Sequence, residues 1–438
     1  MIGIKYFFFV VPVVFICAIS SAQQEVLSLS LALDKALQNN YGLIISRADL
    51  ETAEIKNNWG NAGRYPTIGF DAADNNSYEM IDPAYTNRLS AGIGLDWILF
   101  DGFRVRITKS RLENLEELSS GRLAVIIENT IEDIILGYYN VLLQQERLVV
   151  LKKVMDLSSD RYQYELKRQS LGGSVTYNVL QAQNLYLSDK ASYMNQEVVV
   201  RNAIRNLNFM MAEEPAKNWT FEEPFTADTS SYQLGDLVSK MKSDNQTLKN
   251  QYTNLLLQQN ETSLQESAFY PALSLGTGMD YTHSLSRAGG SSITTNAIVP
   301  YGNIRLSYDI YQAGVRKRAL EVARINEEAA RVETRQMEHA LTNELFNLYD
   351  YYEVRVALLN VANESLEAAL LNLSISEEKY RSGVINSFNY RDIQLIYLNA
   401  AFQRLQAIYN LIDSRTGLTR ITGGFLGSGV QDLPGTDR

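Results

Sequence analysis

Two long stretches of this chain carry an apolar side chain at every seventh position. Ile127, Ile134, Val141, Leu148, Met155 and Tyr162 form the first series, and Leu345, Tyr352, Leu359, Leu366 and Leu373 form the second. A sustained stripe of this period is the seam along which helices pack nearly parallel. No proline falls within residues 103–212 or 312–433, so helices there meet no hard breaker. Periodicity alone suits an ordinary helical bundle. Length opposes that reading, because residues 103–170 as one helix would run about 100 Å, too long for a compact bundle.

Ahead of each long stretch the period changes to two. Leu89, Ala91, Ile93, Leu95, Trp97 and Leu99 alternate with Ser90, Gly92, Gly94 and Asp96. Leu273, Leu275, Thr277, Met279 and Tyr281 alternate with Ser274, Gly276, Gly278 and Asp280, and Ile304, Leu306, Tyr308 and Ile310 with Arg305, Ser307 and Asp309. Ile68, Phe70 and Ala72 begin a weaker fourth segment. The greasy face of these strands either covers a soluble core or meets lipid while the polar face lines water. Tyr65, Trp97, Phe100, Tyr270 and Tyr311 sit where strand meets helix, as an aromatic girdle at one membrane interface requires. Residues 75–87, with Pro83, and residues 283–296 are then expected as outer loops. Four strands cannot close a barrel, and open edges in lipid leave unpaired amides costing several kcal/mol each. The chain must therefore oligomerise, two copies giving eight strands and three giving twelve.

The pattern is written twice. Asn40, Tyr65 and Pro66 recur 205 positions later as Asn245, Tyr270 and Pro271. Gly172, Asn178, Gln183, Tyr186 and Leu187 recur 211 positions later as Gly383, Asn389, Gln394, Tyr397 and Leu398. A spacing this long marks a duplicated half rather than a solenoid array. About six extra residues belong to the second copy, expected in the Gly/Ser/Thr-rich residues 286–296. The expected organisation is a leader at 1–22, a first repeat at 23–212, a polar linker with Pro215 and Pro224 at 213–233, a second repeat at 234–422 and a flexible tail at 423–438.

Composition narrows the picture. Lys5, an apolar run over residues 6–19 and Ser20-Ser21-Ala22 read as a cleaved export signal, the alternative being a lipid anchor on Cys17. Cys17 is the only cysteine, so the mature chain has no disulfide, thiol nucleophile or cysteine metal site. Losing Lys5, the leader's only charge, takes the net charge from -10 to -11, which disfavours nucleic acid as a partner. No later stretch has 18 apolar residues, so any spanning falls to strands. His283 and His339 have no ligand-like neighbours, no nucleophile elbow, Walker loop or dinucleotide fingerprint occurs, and neither catalysis nor a cofactor is expected.

With these residues in view, the chain resembles the TolC family of bacterial outer-membrane efflux and secretion channel proteins across nearly its whole mature length. Residues 27–66 resemble the family's opening helix, Trp97-Ile98-Leu99-Phe100-Asp101-Gly102 its strand-end motif, and Ile310-Tyr311-Gln312-Ala313-Gly314 the second-repeat form. Leu171-Gly172-Gly173-Ser174 and Tyr380-Arg381-Ser382-Gly383-Val384 resemble its periplasmic hairpin tips. The resemblance implies an α+β membrane protein: a homotrimer whose twelve-stranded barrel, four strands per chain, continues into a long α-helical periplasmic barrel. It implies contact with outer-membrane lipids, docking at the tips to a periplasmic adaptor and an inner-membrane transporter, and export of small molecules or of protein by type I secretion. The rival reading is a periplasmic coiled-coil scaffold without a pore.

The tip departs from the family's pattern. Where the family carries acids six and nine positions after the tip glycine, this chain has Asn178 and Gln181 in one copy and Asn389 and Asp392 in the other. Ile385 replaces a gating arginine, whereas Tyr380 matches. These residues imply a tip held by packing and neutral hydrogen bonds, with Asp392 as an acidic ring or a solvated carboxylate. Without a Met/His cluster, metal is the least supported cargo.

Overall fold

The computed structural model describes residues 25–81 and 83–427; the expected leader with Cys17, and residues 428–438, lie outside them. The first half opens with a short strand β1 (Glu25–Leu27), then α1 (Leu29–Asn39) and α2 (Tyr41–Lys56), the hairpin β2 (Thr67–Glu79) and β3 (Ala84–Asp101), and helices α3 (Arg104–Ser170) and α4 (Thr176–Met210). After β4 (Trp219–Phe221) the order repeats as α5 (Leu234–Asp244), α6 (Gln246–Ser267), β5 (Ala272–Ala288), β6 (Ser291–Ser307), α7 (Val315–Arg381) and α8 (Ser387–Ile421), ending on α9 (Gly424–Gly427). Both α3 and α7 have 67 residues, and both α4 and α8 have 35.

Instead of one opening helix over 27–66 there are two, because Asn40 leaves helical backbone (ψ 128°) and starts again, its side chain accepting from the N–H groups of Gly42 and Leu43. Asn245 does the same for α6, accepting from the Leu248 N–H. Each asparagine also reaches the end of its own half: Asn40 Nδ2 donates to the Met210 carbonyl and Asn245 Nδ2 to the Ile421 carbonyl, both at 2.9 Å. These two bonds tie the start of each repeat to the end of its last helix.

The four long strands form one antiparallel sheet in the order β2-β3-β5-β6, so β3 and β5 join the two halves while β2 and β6 are edges. Register places Phe70, Ile93, Met279 and Pro300 in one rung, with Ala72, Ala91, Tyr281 and Ile298 in the next rung of the same face. Leu273 and Leu306 close that apolar band below and Asp74, His283 and Asn296 end it above. From Leu273 to Tyr281 the band runs roughly 27 Å along the strand, about 20 Å upright after barrel tilt, close to the apolar girdle of membrane barrels. Among the described residues no helix makes an extensive contact with the sheet. Phe70 and Ile304 are 72% and 70% exposed, so the greasy face covers no soluble core.

Several expectations change here. The expected outer loops are strand: His283 pairs with Asn296 and Leu89 within the ladder, and among the described residues only 80, 81, 83, 289 and 290 turn. The last strand stops at Ser307 rather than continuing to Ile310; beyond it Arg316 donates to the Ala268 carbonyl at 2.9 Å and stacks over Phe269 and Tyr308. The linker is pinned to the first repeat. β4 pairs in parallel with β1, Trp219 is buried with its indole N–H on Asn208 at 2.6 Å, and Tyr138 donates to the Leu27 carbonyl and to Glu223. The tail expected from Gly423 begins with a helical turn, and Phe425 packs against Leu37, Leu43 and Ile131.

The core is a row of clusters along the helices rather than a single centre. In α7 the seven-residue series is buried at Leu345, Tyr352, Leu359 and Leu373, and it continues to Tyr380. In α3 the buried side drifts off the expected stripe: Ile134 and Val141 are buried, but further down Leu151, Val154, Ser158, Arg161 and Glu165 take over. An α-helix of 3.6 residues per turn precesses against a seven-residue repeat, and the buried side of α3 follows that drift.

Candidate functional site at the helical tips

Two helix-turn-helix tips end the molecule opposite the sheet. Gly172 (φ 76°) and Gly383 (φ 79°) hold the left-handed position that lets each long helix stop. Gly173 N–H closes on the Arg168 carbonyl and Val384 N–H on the Lys379 carbonyl, each at 2.8 Å. Asn386 caps α8 on the Asn389 N–H at 2.8 Å, and Arg168 Nη2 donates to the Gly173 carbonyl at 2.9 Å. These bonds leave apolar side chains outward: Leu171 and Val384, the residues expected to meet an adaptor, are 85% and 70% exposed, beside exposed Gly172, Gly173, Arg381, Ser382 and Gly383 and half-buried Ser174.

Behind the tips lies a buried polar cluster that ties the two hairpins together. Tyr380 donates to Glu165 Oε1 at 2.7 Å, and Ser174 donates to Glu165 Oε2 at 2.6 Å. The Tyr380 ring stacks on Tyr390 at 4.9 Å and meets Tyr164 edge-on at 5.3 Å. Burial, with the Glu165 carboxylate beside it, pushes the Tyr380 hydroxyl up, so it remains a donor. Further in, Arg391 grips Asp189 with two nitrogens at 2.6 and 2.8 Å. This fork joins α8 to α4 with both side chains largely buried.

Of the residues expected at the gate, Tyr380 lies in this cluster. Asn178 is half-buried and reaches Ser174 Oγ only at 3.4 Å; Gln181 is half-buried, and Asn389 and Asp392 are exposed. The buried charges that join the two hairpins are Glu165, Asp189 and Arg391, none of which the family's spacing marks. These ionic contacts stand beside the packing and hydrogen bonds of Tyr380, Ser174 and Tyr390. Two signals point to the Tyr380–Glu165 part of this cluster. The seven-residue series of α7 lands on Tyr380, and Arg161 and Glu165 continue the buried three-and-four spacing of α3.

At the sheet end the expected girdle residues cluster near the strand–helix junctions. Phe103 packs edge-on between Phe100 at 5.3 Å and Tyr270 at 6.0 Å, and Trp97 donates to the Arg64 carbonyl at 2.9 Å. Tyr65 and Tyr311 are exposed. Gly102 and Phe103 (φ 70° and 69°), and Ala313 and Gly314 (φ 49° and 74°), are paired left-handed residues that swing each strand into its long helix. A Cβ on Gly102 would stand 2.4 Å from the Ser267 carbonyl, so this corner admits glycine only.

A lipid-height strand quartet with open edges, continued by 67-residue helices ending in shaped tips, defines a subunit of a transmembrane duct. The profile of the family described as outer membrane efflux protein matches residues 32–213 and again 237–424. The chain belongs to that family. It is a component of an outer-membrane efflux channel that extends into the periplasm, in a family of channels rather than enzymes. Among solved structures it is similar to the Campylobacter jejuni CmeC outer membrane channel (TM-score 0.74, 18% identity, 90% of this chain and 85% of that one). It is also similar to the Vibrio cholerae outer membrane protein VceC (TM-score 0.72, 14%, 90% and 96%). The open state of the Neisseria gonorrhoeae MtrE outer membrane channel matches with TM-score 0.69 at 16% identity, over 90% and 88%. No curated protein matches the sequence.

Proposed function

We propose that three copies of this chain close a twelve-stranded barrel, β6 of one chain pairing with β2 of the next, and that the helices below form one tunnel through the periplasm. The observation that carries this reading is the four-stranded sheet with a lipid-height apolar face and two unpaired edges. Lipid supplies no partner for those edge amides, so each edge needs another chain. Twelve strands rather than eight follows from the family. The exposed Leu171 and Val384 tips are the surface for a periplasmic adaptor, through which an inner-membrane transporter delivers small molecules for efflux. Protein secretion uses the same architecture and is the second reading. Metal cargo gains no support, because no cluster of potential metal ligands occurs among the described residues.

The test is purification from outer membranes, native mass and heat-modifiable migration, followed by conductance in planar bilayers. A trimer that migrates faster unheated and conducts is expected. A soluble periplasmic monomer would instead favour the scaffold reading. Exposed Asp392 forms an acidic ring in the assembled tunnel, and Asp392→Ala reduces cation preference; unchanged selectivity removes the ring.

A further inference from the structure

Between the two hairpins, just behind the tips, is a cleft of about 720 Å³ lined by Leu157, Arg161, Tyr164 and Lys167 of α3 with Tyr380 and Tyr390. Three tyrosine rings and a leucine give it an apolar body in the size range of small-molecule sites. Its deepest charged group is Arg161, which is 1% exposed. A guanidinium so buried is normally paired on every side, because an unpaired buried charge is costly. Arg161 is not. Its Nη1 donates to the Ser387 carbonyl at a long 3.4 Å, while neither Nε nor Nη2 has an acceptor among the described residues.

The neighbouring acids are committed elsewhere. Glu165, one turn along α3, accepts from Tyr380 and Ser174 with its two oxygens. Asp189 gives both oxygens to Arg391. Of the two acids lining the cleft, Glu377 is held by Arg381 at 2.6 Å, which leaves Asp160 against Arg161 and Lys167. Nε and Nη2 are adjacent on one edge of the planar guanidinium, the edge that takes both oxygens of a carboxylate side-on. The buried, unpaired edge, the aromatic walls and the excess of cationic groups describe one kind of ligand.

We propose that this cleft is a binding site for a small amphipathic organic anion, its carboxylate or equivalent oxyanion held on the Nε–Nη2 edge of Arg161 and its apolar body between the tyrosines. Such a ligand touches α3, α7 and α8 together and so bridges the two hairpins. Burial, with Arg391 nearby, holds the Arg161 guanidinium below its ordinary range, and the charge of a bound anion offsets that cost.

The test uses full-length protein in detergent micelles and two fluorinated probes of one shape, 4-(trifluoromethyl)benzoate and the neutral 4-(trifluoromethyl)benzamide, followed by fluorine NMR line broadening. Saturable binding of the benzoate by the wild type is expected, with the benzamide no stronger than its partition into empty micelles. Arg161→Gln weakens benzoate binding by about tenfold or more, the loss of a charged, doubly hydrogen-bonded contact. Leu157→Trp fills the cleft and leaves the guanidinium, and it also abolishes binding; it decides the matter if Arg161→Gln does not assemble. Equal binding of acid and amide, undiminished binding by either assembled variant, or no saturable benzoate binding by the wild type would overturn the proposal.

Discussion

Removing one oxygen atom, in Tyr380→Phe, tests whether the buried cluster restrains the tip. The ring stays, so stacking on Tyr390 and edge contact with Tyr164 are kept; what goes is the donor 2.7 Å from Glu165 Oε1. Glu165 is 1% exposed and would retain one short bond, from Ser174, with Arg168 at 3.6 Å. A hydrogen bond to a charged group contributes about 1.5–3 kcal/mol. Because Tyr380 and Glu165 belong to α7 and α3, that energy opposes separation of the two hairpins. Its loss shifts the balance toward separated tips by roughly ten- to a hundredfold. The assay is single-channel recording in planar bilayers, with opening frequency scored at fixed voltage. Glu165→Gln, which keeps the shape and halves the acceptor strength, should move the frequency the same way by less. An opening frequency within twofold of wild type for Tyr380→Phe, in a channel of normal stability, would show that this bond does not resist the motion and that the reasoning from burial is wrong.

Other outcomes follow from the same geometry. Arg391→Met strands Asp189 without its partner and should cost about 3–5 kcal/mol, lowering the temperature at which the heat-modifiable form is lost; adding Asp189→Leu should restore most of it, since an apolar replacement of both partners is often neutral. Gly102→Ala should sharply reduce assembled protein, by backbone strain and by collision with the Ser267 carbonyl, whereas Gly173→Ala, whose added carbon meets ordinary van der Waals contact at 3.5 Å, should assemble normally. Burial pushes the Glu128 carboxyl up from 4.5 to about 7, with Arg420 opposing. A folded pKa above the unfolded one means a contribution present below pH 4.5 that is lost as pH rises to about 7. Unfolding midpoints should therefore fall over that window, and Glu128→Gln should flatten the slope; an unchanged slope contradicts the assignment.

The halves of the fold were not equally legible. The membrane rungs announced themselves because one face must be apolar and the other wet, which forces alternation. Above the band that constraint lapses. Asn76, Asn87, His283 and Asn296 then look like loop residues, yet they hold strands through polar cross-strand bonds: Asn87 to Asp74 at 2.6 Å and to Asn76 at 2.7 Å, and His283 with Asn296 at 2.6 Å. The long helices were legible from their length without proline, but the buried side of α3 drifts, so a straight stripe misses Arg161 and Glu165. The Arg391–Asp189 fork spans 202 residues and joins separate hairpins, and no local pattern announces a pairing that only the topology creates.

The two asparagine staples have a bearing on ancestry. Asn40 and Asn245 each close their own repeat into a ring of its own, beginning fastened to end, with no help from the other repeat. Six separate half-chains so fastened would offer the same strands and the same helical hairpins as three joined ones. Fusion adds freedom to differ. Joined halves always occupy alternate places around the axis, so one can lengthen its hairpin by six residues and carry Asp392 while the other keeps Gln181. A ring of identical half-chains would have to repeat each such change six times over. The twofold text of this chain thus permits a tunnel whose neighbouring hairpins are specialised for unlike tasks.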